Sequence, residues 1–301
     1  MPGKARWEGC VTTLIDPTMP RRRLGRKLRE LRNAAGLLAE PVAVELDCST
    51  AKISTIEGGK NKVRKIDVER MLAFYANHKP GLITPEITDE LLDLTRQSGQ
   101  KAWWWPYQAG VQDWFRELIG LEGESSLVRN FEYHAIPGLL QTEAYASALT
   151  ASSLHVPESQ RAEVVAVRVG RQANLRRGDF KLWVVIAEHV LHRQVADDPA
   201  ILRDQLEHLA AMAKLPNVRI QILPTKNSLQ HWLTNPFMLL EFPPDVWTKT
   251  VYWEHPGGAE YLQDPAGVAR YELAWSALTN PDKAANAAHD EQSSLQVIQA
   301  A

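Results

Sequence analysis

Residues 49–60 read Ser-Thr-Ala-Lys-Ile-Ser-Thr-Ile-Glu-Gly-Gly-Lys, and this stretch constrains the chain more than any other. Ser49 is placed to cap a short helix by accepting a backbone N–H two or three residues on. Ile53 and Ile56 recur at helical spacing and point inward, which leaves Thr50, Ala51, Lys52 and Thr55 outward. Gly58 and Gly59 end the helix, and Lys60, Asn61, Lys62, Arg64 and Lys65 follow. A helix with small polar residues outward and cations beside it suits the DNA major groove.

The flanking sequence supplies a frame for such a helix. Arg21 to Arg32 reads RRRLGRKLRELR, with Leu24, Leu28 and Leu31 at helical spacing and a strongly basic outer face that includes Arg22 and Arg23. Gly36 ends this helix. A second short helix is expected over 38–46, with Pro41 tolerable in its first turn. Asp47-Cys48 makes the turn, since Asp tolerates the left-handed conformation. A further helix is expected over 66–78, with Ile66, Met71, Leu72 and Tyr75 on its inner side.

Charge separates the two ends of the chain. Residues 1–80 carry 16 Lys and Arg against 9 Asp and Glu, whereas the remaining 221 residues carry 18 against 27. A basic small end on an acidic body points to a polyanion partner for the small end alone. The 301 residues exceed one ordinary domain. The expected division is a loose arm (1–20), a helical DNA-binding domain (21–80), a connecting helix (81–100), a larger mixed domain (101–280) and a tail (281–301). The overall class is α+β. Strands are expected at 127–133, 180–187, 218–222, 237–242 and 250–254, and helices near 110–121, 138–150, 158–176, 199–214 and 265–279. The pair Cys10 and Cys48 lacks metal spacing and fits a reduced, cytoplasmic protein. No apolar run reaches the length of a membrane span, and the start shows no signal-peptide core, so no membrane partner is expected.

Arg21 to Lys65 resembles the Xre or phage-repressor type of helix-turn-helix. The resemblance rests on Leu31-Arg32, Gly36, Val42-Ala43, Ser49, Ile53-Ser54, Ile56-Glu57 and Gly59. The body resembles the large uncharacterised domain fused to such helix-turn-helices in actinobacterial regulators, including Scr1-type antitoxin-like ones. Leu121-Glu122, the run Ile136 to Thr142, Arg171-Gln172, Glu188, Leu191 to Arg193, Gln205-Leu206 and Val251-Tyr252-x-Glu254 carry that likeness. The first resemblance implies a lambda-repressor-like all-α domain in which Thr50, Ala51 and Thr55 face base edges. It also implies that Lys52, Lys60, Lys62 and Arg64 hold phosphates. Arg22, Arg23 and Asn61 are further phosphate candidates. Glu57 is implied to pair with Arg32 behind the recognition helix. A homodimer on an inverted-repeat operator of double-stranded DNA follows from the same likeness. The family's second helix usually starts Thr-Gln, where this chain has Leu38-Ala39. The body usually reads Tyr-Glu-Pro, where this chain has Tyr133-His134-Ala135.

In the body, Trp104, Gln141, Arg171, Gln172, Glu188 and Arg193 are the candidates for a pocket that receives a small-molecule effector or a small partner protein. Glu188 closes an apolar strand, where a charge is costly unless paired, and Arg171 or Arg193 is its natural partner. Trp103 to Trp105 can stack on a ligand, but a hydrophobic seam between the domains is the favoured reading. His189 and His192 lack further ligands, so neither a metal nor another cofactor is expected. No hydrolase, metalloprotease or dinucleotide motif is present, which argues against an enzyme. Two rival readings remain: an antitoxin-like interaction module, and an enzyme localised by its helix-turn-helix.

Overall fold

The computed structural model describes residues 18–226, 235–244, 247–280 and 287–301. The arm expected over 1–20 lies outside the described residues, apart from Thr18 to Pro20, which open the first helix. The fold is α+β: a helical N-terminal part, then a mixed sheet with helices on it.

The N-terminal helices are α1 (Thr18–Ala34), α2 (Ala39–Glu45), α3 (Thr50–Glu57), α4 (Lys65–His78) and α5 (Pro85–Ser98). Leu24 and Leu28 of α1 meet Ile53 and Ile56 of α3, Met71 and Tyr75 of α4, and Leu91 and Leu94 of α5 in one core. Helix α5 is therefore a wall of this core, where a connecting segment was expected. Its apolar positions three apart face α1 and α4. Ile66, expected inward, is exposed, and Val63 before α4 is buried in its place.

Local chemistry fixes α3. Asp47 adopts φ +52° and turns the chain, and the Ser49 hydroxyl accepts the Lys52 N–H at 3.2 Å. Helix α1 then crosses the end of α3 with backbone against backbone. A Cβ on Gly25 would lie 2.4 Å from the Ile56 carbonyl oxygen, and one on Gly59 would lie 2.6 Å from the Cα of Arg22. Gly59 also has φ +65°, so two constraints select glycine there.

The C-terminal part contains α6 (Asp113–Glu124), β1 (Leu127–Glu132), α7 (Glu143–Ala151), α8 (Arg161–Gly170), β2 (Lys181–Ala187), α9 (Pro199–Met212) and β3 (Val218–Leu223). After these come β4 (Phe237–Glu241), β5 (Thr250–His255), β6 (Gly258–Leu262), α10 (Pro265–Thr279) and α11 (Glu291–Ala300). The sheet runs β3-β2-β1-β4-β5-β6, with β3, β2 and β1 parallel and the other neighbours antiparallel. One face packs Val184, Ile186 and Ile220 against Leu118, Tyr145 and Leu209. The other packs Phe131, Val185 and Leu239 against Trp275 and Leu278 of α10. Burial on both faces explains the unbroken apolar run of β2.

Two expectations fail here. Arg219 and Gln221 alternate with Val218, Ile220 and Ile222, which points to a half-buried strand, but Gln221 is buried and bonded on both sides. Its Oε1 accepts from Trp183 Nε1 at 2.7 Å, and its Nε2 donates to the His289 carbonyl at 2.8 Å. The tail expected over 281–301 includes α11, which covers β3. Ser294 Oγ accepts the Ile222 N–H at 2.9 Å, and Ile298 enters the main core. A free strand edge is thereby satisfied. Residues 281–286 lie outside the described residues.

Helix α1 also reaches the C-terminal part. Met19 is fully buried in the core shared with Leu118 and Tyr252. Arg22 Nη1 lies 2.6 Å from Glu117 Oε1 of α6, and the Arg26 guanidinium sits 4.9 Å from the centre of the Trp247 ring.

Behind α3, Arg32 Nε donates to Glu57 Oε1 at 2.6 Å and Nη2 donates to Oε2 at 2.9 Å. Arg32 Nη1 donates to the Leu37 carbonyl at 2.7 Å, and both charged residues are 8% exposed. The hydrogen bonds that Arg32 donates to Glu57 hold its pKa above the ordinary value despite burial. Removing one partner of such a pair strands the other charge, at about 3–5 kcal/mol. Glu57→Ala is expected to lower unfolding free energy by about that amount in a denaturant titration. An unchanged midpoint would contradict a structural role for the pair.

Candidate functional site

Two regions concentrate accessible chemistry. The first is the outer face of α3. Thr50, Ala51 and Ser54 are exposed and follow helical spacing, with Lys52 exposed at their side. Thr55 departs from its expected place. It is half-buried, its hydroxyl donates to the Lys52 carbonyl at 2.8 Å, and it accepts from Asn61 Nδ2 at 3.2 Å. Asn61 is thus a brace for the end of α3. Ser54 was given no base-facing role from the sequence, although its spacing from Thr50 places it on the same face.

The cations divide into engaged and accessible groups. Lys52 and Lys60 are exposed. Lys62 is exposed and its Nζ lies 3.5 Å from the Gly99 carbonyl oxygen. Arg64 forms a bidentate pair with Asp67 at 2.9 and 2.8 Å, which holds the Asp67 carboxyl below the usual carboxylate range. Arg22 was a phosphate candidate, but its guanidinium is half-buried against Glu117, so its charge is already matched. Arg23 is half-buried in the same region of α1. The basic pattern of residues 21–32 is used partly inside the molecule because α1 lies between its two parts.

The second region is a cleft at the end of the sheet where β1 and β5 finish. The strand order changes direction at β1, with β2 and β3 on one side and β4 to β6 on the other. Crevices at the carboxyl ends of strands beside such a switch are habitual ligand sites. The register places Asn130, Met238 and Tyr252 in one row across β1, β4 and β5. Two residues further on, Glu132 and Glu254 share that face. Glu254 lines three adjoining cavities of about 530, 180 and 390 Å³. The 530 and 390 Å³ cavities are in the range of small-molecule sites.

The cleft holds charge on both walls. Glu132 is half-buried, and burial together with the negative charge of Glu254 pushes its carboxyl up to about 8. Glu254 Oε1 accepts from the Tyr252 hydroxyl at 2.6 Å. Burial and that carboxylate raise the Tyr252 pKa. Arg168 of α8 lies opposite and donates from Nη1 to Gln141 Oε1 at 3.2 Å. Burial, followed by the charge of Arg171, lowers its pKa.

The pocket candidates from the sequence only partly meet. Gln141 lines the cleft, and its Nε2 donates to the Ile136 carbonyl at 2.6 Å. Gln172 Nε2 donates to the Gln141 carbonyl at 2.6 Å and so supports it from behind. Arg171 borders the cleft, but its partner is Glu122, at 3.1 and 2.5 Å, with Asn174 donating to the same carboxylate at 3.2 Å. Burial opposes the charge on Arg171, and Glu122 more than offsets this, leaving its pKa raised. The expected pairing of Arg171 or Arg193 with Glu188 does not form. Glu188 begins a turn past the end of β2, where the Thr225 N–H donates to it at 2.8 Å and lowers its pKa. Arg193 is exposed, with Nη1 at 3.3 Å from the His134 carbonyl oxygen. Trp104 lines none of the cavities described. It is buried with Ala102, Ile119 and Val167, and Arg116 lies 5.4 Å from its ring centre. Sequence reasoning missed Asn130, Glu132 and Arg168. Glu254 stood in the Val251-Tyr252-x-Glu254 pattern without a role.

The fold thus defines a protein that joins a helix-turn-helix domain to an α+β domain carrying a charged cleft. A helix-turn-helix domain family matches residues 23–78. Residues 115–300 match the domain of unknown function DUF5753, and the chain belongs to that family. No curated protein and no solved structure matches the chain. Among the described residues, no helix is long and apolar enough to cross a membrane.

The raised Glu132 pKa has a consequence for stability. Its unfolded value is about 4.3, so the native chain holds a proton that the unfolded chain has released at neutral pH. The contribution is fully present below about pH 4 and is lost as pH rises through about 8. Glu132→Gln is therefore expected to gain melting temperature relative to the parent at about pH 8 and to show no such gain near pH 4. A melting difference independent of pH would contradict the raised value.

Proposed function

We propose that this protein is a sequence-specific DNA-binding transcriptional regulator whose C-terminal cleft receives a small-molecule effector. The observation that carries the reading is the outer face of α3. A capped helix presents Thr50, Ala51 and Ser54, and the exposed cations Lys52, Lys60 and Lys62 flank it. Small hydroxyl and methyl groups can read base edges, while lysines fix register on phosphates. We place a homodimer on an inverted repeat, with the two α3 helices in successive major grooves. The family match over 23–78 supports the same role.

Helix α6 supports a route from cleft to DNA. Trp114 and Phe115 border the cavities, Glu117 holds Arg22 of α1, and Glu122 holds Arg171. The Tyr261 hydroxyl donates to the Trp114 carbonyl at 2.6 Å, which ties α6 to β6. An effector shifts DNA affinity only if it binds two arrangements of these parts unequally. Cleft volume, charge on both walls and the link through α6 favour a small molecule over a partner protein as the signal.

Selection from a random duplex pool at two salt concentrations tests the reading, and a pseudo-palindrome whose binding weakens with salt is the expected product. Against that site, Lys60→Ala is expected to weaken all sequences alike and to lower the salt slope by about one unit. Thr50→Val is expected to alter the preferred sequence instead. If both substitutions had the same effect, the division between phosphate and base contacts would fail. Glu117→Gln frees the Arg22 guanidinium and is expected to alter DNA affinity without a change in base preference. An unchanged affinity would remove α6 from the route.

A further inference from the structure

We propose that the cleft between β1, β5 and α8 takes a small organic cation, an alkylammonium or guanidinium group, held by Glu132, Glu254 and the side-chain oxygen of Asn130. The inference rests on the reading of this cleft as the effector site and adds the chemical class of what enters it.

Asn130 is the independent observation. It lies on the central strand β1 and is only 5% exposed. Its Nδ2 reaches Glu132 Oε1 at 3.4 Å, but its Oδ1 has no hydrogen-bond partner among the described residues. An orphaned buried acceptor costs about 1–3 kcal/mol, so a polar residue in the middle of an apolar sheet calls for a donor. Asn130 lines both the 530 and the 180 Å³ cavities, so the missing donor can come from the cleft.

The charges point the same way. Glu132 and Glu254 lie on the face that carries Asn130, and neither forms an ion pair within 4 Å among the described residues. Arg168 is the opposing cation, but it spends one N–H on Gln141 and is also unpaired at that distance. Arg171 cannot substitute because Glu122 holds it bidentately. The accessible lining is thus two carboxyls and an amide oxygen against one guanidinium.

Binding is coupled to a proton. The groups around Glu132 are Asn130 on its own strand, Tyr252 and Glu254 on β5, Arg168 on α8, Tyr145 on α7, and His134 in the following turn. Strand β2 places Ile186 opposite it. The empty cleft keeps Glu132 protonated at neutral pH, and an entering cation replaces that proton with its own charge.

The test uses the full chain with butylammonium and butylguanidinium chlorides as probes and sodium butyrate as the anionic control. Tryptophan fluorescence reports saturation. Calorimetry at neutral pH in two buffers of different ionisation enthalpy reports protons released. The expected result is saturation by a cation and not by butyrate, with net proton release. Glu132→Gln is expected to abolish the release, and Glu254→Gln to weaken binding by about tenfold. Arg168→Gln, which removes the competing charge, is expected to strengthen it. Circular dichroism checks that each variant is folded. Saturation by butyrate alone, equal cation binding in the parent, Glu132→Gln and Glu254→Gln, or no saturation by any probe would overturn the proposal. The DNA readout separates it from the broader reading. A cation that binds here without changing DNA affinity sinks the effector role and leaves the site. An anion that changes DNA affinity from this cleft does the reverse.

Discussion

Helix α1 belongs to two cores at once, and the arrangement of the molecule depends on that. Met19 is buried with the C-terminal core, and Leu24 and Leu28 are buried with the helix-turn-helix core. Between them, Arg22 is held by Glu117 while its backbone lies against Gly59 at the end of α3. Two contacts, Gly59 on Arg22 and Arg22 on Glu117, therefore link the end of α3 to the C-terminal part. Two domains joined only by a flexible linker would move independently. A helix shared between cores couples them, because packed interiors resist continuous deformation.

Charge is handled in two contrasting ways. Arg32–Glu57 and Arg171–Glu122 are bidentate, and their spare atoms reach Leu37 and Asn174. Such closed networks fix geometry, placing α3 on α1 and the turn after α8 on α6. In the cleft, Glu132, Glu254 and Arg168 are left without an ion pair at contact distance among the described residues, and Asn130 keeps an unused acceptor. Glu254 is exposed, Glu132 holds a proton at neutral pH, and Arg168 is half-buried, so the cleft keeps its charge within reach of solvent. The closed pairs serve stability, whereas the open groups line a cavity.

What could be read from the sequence follows the range of the interactions. The cap at Ser49, the turn at Asp47 and the inward Ile53 and Ile56 are local, and twelve residues were enough to see them. Strand β2 was visible as an apolar run because both its faces are buried. Helix α11 was not, because its weak apolar pattern acquires meaning only once the β3 edge is there to cover. Arg32–Glu57 came from family likeness, since a separation of 25 positions carries no spacing signal. Glu188 was given the wrong partner because its neighbour in space, the Thr225 backbone, is 37 residues away and has no side-chain signature. The cleft was the least visible feature. Its residues come from β1, α8 and β5, and only the strand order brings them together.

Hydrogen exchange of the full chain, with and without its selected duplex, tests the central claim that one coupled body reads DNA through α3. The account predicts slowed exchange across residues 49–62 and a simultaneous change in α6, transmitted through α1. Protection confined to α3, with α6 unaltered, would contradict the coupling. An unprotected 49–62 segment in the bound state would contradict the DNA-reading role itself.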